Sequence, residues 1–78
     1  MINKDNLKEY GEVELCEVID GMFHVKITKG FNNNAIIVFE LMKKIDKSVG
    51  DKYPIIDKLV TEENLFEYVL KPDPRYNN

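Results

Sequence analysis

Seventy-eight residues make at most one small domain. A chain this short buries only about 60% of its unfolded surface, too little for both a sizeable core and a deep catalytic cavity. The single cysteine, Cys16, excludes an internal disulfide and a Cys-rich zinc site, and no apolar run nears the roughly 18 residues that span a bilayer. The net charge of −3 is unevenly spread. Residues 1–25 hold two lysines against six carboxylates, residues 26–58 seven lysines against four, and residues 59–78 two basic side chains against four acids.

The polar opening, residues 1–10, reads as a lead-in with no secretory leader, which places the chain in the cytoplasm. Residues 11–71 form the globular domain. Val13 and Leu15 alternate with Glu12 and Glu14, the period of a half-buried strand, and the apolar pair Val18-Ile19 requires a bulge near Cys16-Glu17. Asp20-Gly21 is a hairpin turn signal. The next run alternates cleanly, with Phe23, Val25 and Ile27 on a core face and Met22, His24, Lys26 and Thr28 on a polar one. Phe31 to Asn34 is a loop. Residues 35–39, apolar on both faces, read as a central third strand. Leu41, Met42 and Ile45 then sit at helical spacing, predicting a short helix that ends before Gly50. Residues 52–60 read as a fourth strand in which Pro54 demands an edge or a strand start. Residues 61–70 fit two readings: Phe66, Tyr68 and Leu70 alternate as in a strand, while Thr61-Glu62-Glu63 resembles a capped helix start. Pro72 and Pro74 end the domain, leaving residues 72–78 as a flexible tail.

Catalytic chemistry finds little to work with. His24 is the only histidine and has no ligand partners at recognisable spacing, so no metal site or cofactor is expected. Cys16 would be a nucleophile only if His24 reached it across the hairpin, and no third group is evident. A non-enzymatic binding role remains, with no membrane and no small-molecule substrate as partner.

Four stretches also carry a family likeness. Gly11-Glu12-Val13-Glu14, followed by Gly21-Met22-Phe23-His24-Val25-Lys26-Ile27-Thr28-Lys29-Gly30, resembles the opening of bacterial translation initiation factor one. That family typically shows Gly-x-Val and then Met-Phe-x-Val-x-Leu-x-x-Gly. Leu41-Met42-Lys43-Lys44 looks like its Lys-Met-Arg-Lys segment, and Gly50-Asp51-Lys52 matches its Gly-Asp-Lys turn. The resemblance covers about residues 11–58, or to 71 where the last segment is a strand. It implies a mainly β fold, a five-stranded OB-like barrel with one short helix at about 40–48, and RNA binding at the small ribosomal subunit. In that likeness His24, Lys26, Lys43 and Lys44 stand where the family has basic residues. The alternative architecture is α+β, a three- or four-stranded antiparallel sheet with a C-terminal helix over 61–70.

Two functional expectations follow. The first is a small acidic interaction or inhibitor protein, of the kind encoded by phages and mobile elements, which meets a basic nucleic-acid-binding protein through Glu12, Glu14, Glu17 and Asp20. The second is a single-stranded RNA or ribosome binder. Lys26, Lys43, Lys44 and Lys47 would neutralise phosphates, while Met22, His24 and Phe31 touch bases. An exposed strand edge near Asn32–Phe39 would also allow a homodimer.

Overall fold

Asp20 (φ 52°) and Gly21 (φ 79°) form the tight turn between β1 (Glu12–Ile19) and β2 (Met22–Thr28) in the computed structural model, which describes residues 2–76. Positive φ at both positions gives the turn the same twist as its strands. β2 alternates as predicted: Phe23, Val25 and Ile27 are buried, and the four residues between and beside them are half-buried on the other face. The bulge lies between Val13 and Leu15 rather than at Cys16-Glu17. Beyond it, Cys16 and Val18 pair with Val25 and Phe23 on the core side.

Residues 35–39 are not a strand. They open α2 (Ala35–Val49), which starts well before residue 40. Five apolar residues in a row carry no period, so a buried strand and an apolar helical turn look alike in sequence. The cap distinguishes them: the Asn34 side chain accepts the Ile36 amide at 2.9 Å, satisfying a donor of the first turn. Leu41, Ile45 and Val49 recur every four residues as the buried stripe. A 3-10 turn, Gly50–Lys52, follows, and buried Tyr53 packs against Phe23 with ring centroids 6.1 Å apart.

Pro54 directly precedes β3 (Ile55–Glu62), and a turn at Glu63-Asn64 leads into β4 (Leu65–Lys71). Residues 61–70 are therefore the end of one strand, a turn and most of another, not a C-terminal helix. β4 pairs with both β2 and β3, giving the antiparallel order β1-β2-β4-β3. The five-stranded barrel does not form. The segment expected as its third strand is helix, and β1 and β3 remain separate edges of an open, four-stranded sheet. The edge expected near Asn32–Phe39 is likewise loop and helix.

One face of the sheet carries the core. Phe23, Val25 and Ile27 of β2 and Phe66, Tyr68 and Leu70 of β4 cluster with the α2 stripe. Phe31, expected as a base contact, is instead buried against Phe66 at 5.5 Å. The polar opening folds onto the same cluster. Asn3 caps α1 (Lys4–Leu7), a 3-10 turn runs to Tyr10, and Ile2 and Leu7 are buried. Lys44 on α2 ties this segment down, donating to the Glu9 carboxylate at 2.9 Å and the Asn6 carbonyl at 3.2 Å. After β4, Asp73 accepts from Arg75 in a 3-10 turn at Pro74–Tyr76. Met1 and residues 77–78 of the expected lead-in and tail lie outside the described residues. Among the described residues no helix is long and apolar enough to cross a membrane.

Candidate functional site

The outer face of the sheet neutralises itself. Glu14 accepts the Thr28 hydroxyl at 2.8 Å and pairs with Lys26 at 3.5 Å. The Thr28 hydrogen bond, then the lysine, hold its carboxyl below the usual value. Lys29 pairs with Glu12, Lys58 with Glu67 at 3.1 Å, and Lys71 with Asp57 at 2.9 Å. Exposed pairs of this kind contribute little stability. Their effect here is on the field: at these four pairs a cationic side chain stands beside an anionic one, so the lysines of this face meet a ligand already partly neutralised.

This lattice divides the residues selected from sequence. Met22, His24 and Lys26 project from the outer face of β2, with Lys26 already matched to Glu14. Lys43, Lys44 and Lys47 belong to α2, which covers the other face. Lys44 is turned toward Glu9, and its ammonium holds the Glu9 carboxyl below the usual value. Lys43 stands 5.3 Å over the Phe39 ring. The six residues therefore do not form one nucleic-acid surface. The acidic set is divided too: Glu12 and Glu14 are paired, while Glu17 and Asp20 are exposed. The Nε2 atom of His24 is buried and has no hydrogen-bond partner.

Cys16 and His24 cannot act as a pair. Cys16 is in register with Val25 on the core side, and His24 with Glu17 on the outer side. The Cys16 thiol donates to the Ile2 carbonyl at 3.7 Å, and burial pushes its pKa up, away from thiolate.

The surface that sequence reasoning missed lies between α2 and β3. Ile56 and Leu59 are cross-strand partners of Leu70 and Tyr68, on the core side of the sheet. Those two partners are buried, yet Ile56 is 53% exposed and Leu59 43%. The N-terminal segment covers part of the β1 side of α2, where Val18 stays 41% exposed, and among the described residues no such segment lies on the β3 side. Hydrogen bonds mark the two flanks of the helix. Lys44 reaches the N-terminal segment, whereas Asp46 accepts the Tyr68 hydroxyl of β4 at 3.3 Å. Phe39 lies two turns before Asp46 and so on the same flank, and it is 63% exposed; Ile36, one turn earlier, is 69% exposed. Phe39 on this flank of α2, under the Lys43 ammonium, and Ile56 and Leu59 on the β3 edge strand are thus exposed apolar side chains on the same side of the molecule.

No protein-family model, curated protein or solved structure matches the chain. The likeness of residues 11–30 to initiation factor one stands on those residues alone.

A shallow depression of about 390 Å³ beside the Asp20-Gly21 turn is lined by Met22, Lys52, Tyr53 and Lys71, among others. Lys52 stands 5.8 Å over the Tyr53 ring, and Lys71 is held by Asp57. Neither histidine nor cysteine lines it.

Proposed function

We propose that this protein is a non-enzymatic protein-interaction module that works through β3 and the adjoining flank of α2. One observation carries the reading: Ile56 and Leu59 lie on the core side of the sheet, yet about half of each side chain is left exposed by the described residues. Covering a fully exposed Leu, Ile or Phe side chain contributes roughly 1.5–3 kcal/mol, and about half of that for half-exposed Ile56 and Leu59, whereas an exposed ion pair contributes about 0–1 kcal/mol. Ile56 and Leu59 on an unpaired edge strand, with Phe39 on the facing flank of α2, therefore outweigh the acidic set Glu12, Glu14, Glu17 and Asp20 as a source of affinity. An edge strand also offers backbone donors and acceptors to an incoming strand. Single-stranded RNA binding draws less support, because Lys43 and Lys47 lie across the molecule from Met22, His24 and Lys26.

The test is site-specific photo-cross-linking in the native cells. A photoreactive residue replaces Phe39 or Leu59, and a control replaces exposed Glu17 on the outer face. The expected result is covalent protein adducts from positions 39 and 59 and few from position 17. Absence of adducts at 39 and 59 would overturn the reading.

A further inference from the structure

We infer that the occupant of this surface is a second copy of the chain, with the two β3 strands paired antiparallel so that Asp57 of each faces Lys58 of the other. The inference rests on the reading above and names the partner. Its basis is the irregularity in β3. The register passes from Ile56 opposite Leu70 to Lys58 opposite Val69, leaving Asp57 as an inserted residue. Asp57 pairs with Lys71, which is opposite Ile55 on the outer face, and Lys58 pairs with Glu67, also on the outer face. Asp57 and Lys58 therefore share one face. From Ile55 to Val60 the side chains run outer, inner, outer, outer, inner, outer, which is the same pattern read from either end.

That symmetry has a physical consequence. In a regular strand neighbouring residues point to opposite faces, so a two-fold axis between them would set side chains of opposite faces against each other. The bulge removes this conflict. A two-fold axis normal to the sheet, between Asp57 and Lys58, sets Ile55 opposite Val60, Ile56 opposite Leu59 and Asp57 opposite Lys58 of the second copy. Every pair then joins side chains on the same face, apolar to apolar or charge to opposite charge. A lone bulge blunts an edge. Here two identical bulges meet, and neither strand outruns the other. The contact is isologous, as a closed dimer requires. It makes one eight-stranded sheet whose two bare β3 strands lie side by side between the two α2 helices, with Phe39, Ile56 and Leu59 of both copies closing the gap.

The experiment is sedimentation equilibrium from low micromolar to near-millimolar concentration. The wild-type chain is expected to approach twice 9.1 kDa. Asp57→Lys sets ammonium against ammonium, and Lys58→Asp sets carboxylate against carboxylate. Each alone is expected to weaken the dimer by about tenfold or more. Mixed in equal amounts the two variants restore it, because each cross-strand pair again joins opposite charges. Leu59→Ser, on the exposed strand, is an independent check and is expected to be folded and monomeric. A wild-type chain that stays at 9.1 kDa throughout, or a mixture that associates no better than its components, overturns the inference. Cross-linking separates the two levels. Adducts of twice the chain mass support self-association. Adducts solely to a different protein overturn it and leave the interaction surface standing. No adducts at all overturn both.

Discussion

Ile56 and Leu70 face each other across β3 and β4 on the same side of the sheet, yet Leu70 is 1% exposed and Ile56 53%. The same cross-strand step thus leads from the packed core to bare surface. Leu70→Ala should cost about 2–5 kcal/mol, the range for emptying a core site. Ile56→Thr, measured in dilute solution, should change stability by no more than about 0.5 kcal/mol. Denaturant unfolding of the two variants checks this. Equal losses would mean that β3 is covered in the monomer.

Gly11 joins the N-terminal segment to β1 at φ 147°. A Cβ there would meet Ile27 Cγ2 at 3.0 Å, the Phe31 amide nitrogen at 3.1 Å and the Thr28 carbonyl oxygen at 3.2 Å. Two of these are backbone atoms and cannot swing aside. Gly21 also has positive φ, but nothing lies within 4 Å of its missing Cβ. Gly11→Ala should therefore lower stability by about 1–3 kcal/mol, and Gly21→Ala by less, through strain alone. Thermal unfolding of the pair tests the ranking, and a Gly21→Ala loss as large as that of Gly11→Ala would contradict it.

Tyr68 makes stability pH-dependent in the alkaline range. Burial, with Asp46 beside it, pushes its pKa from 10.0 up to about 12. Below pH 10 folded and unfolded chains both keep the proton, so the shift has no effect on stability. Between pH 10 and 12 the unfolded chain releases the proton and the folded chain retains it, so stability falls as pH rises. Tyr68→Phe removes this dependence and sacrifices one 3.3 Å hydrogen bond. Unfolding midpoints across that window should decline less steeply for the variant than for the wild type. Parallel declines would show that Tyr68 is not the group responsible.

What the sequence by itself determined is local. Asp20-Gly21 makes its turn, and Phe23, Val25 and Ile27 take the buried face, because turn conformation and the two-residue period act between neighbours. The helix stop before Gly50 was legible for the same reason, whereas the strand expected over residues 52–60 starts only at Ile55, after a 3-10 turn at Gly50–Lys52 and Pro54. Ala35–Phe39 was not, since an apolar run has no period and only the Asn34 cap and the stripe from Leu41 to Val49 commit it to a helix. Residues 61–70 satisfied both periods until β4 found β2 and β3 on either side. That pairing decided what mattered most for function. It put β3 at the edge, so Ile56 and Leu59 were left about half exposed, and it placed Lys26 and Lys43 on opposite sides of a sheet. Neither result could be read from the chain, because each depends on which strands meet across dozens of residues, and the free energy of that choice comes from the packed whole.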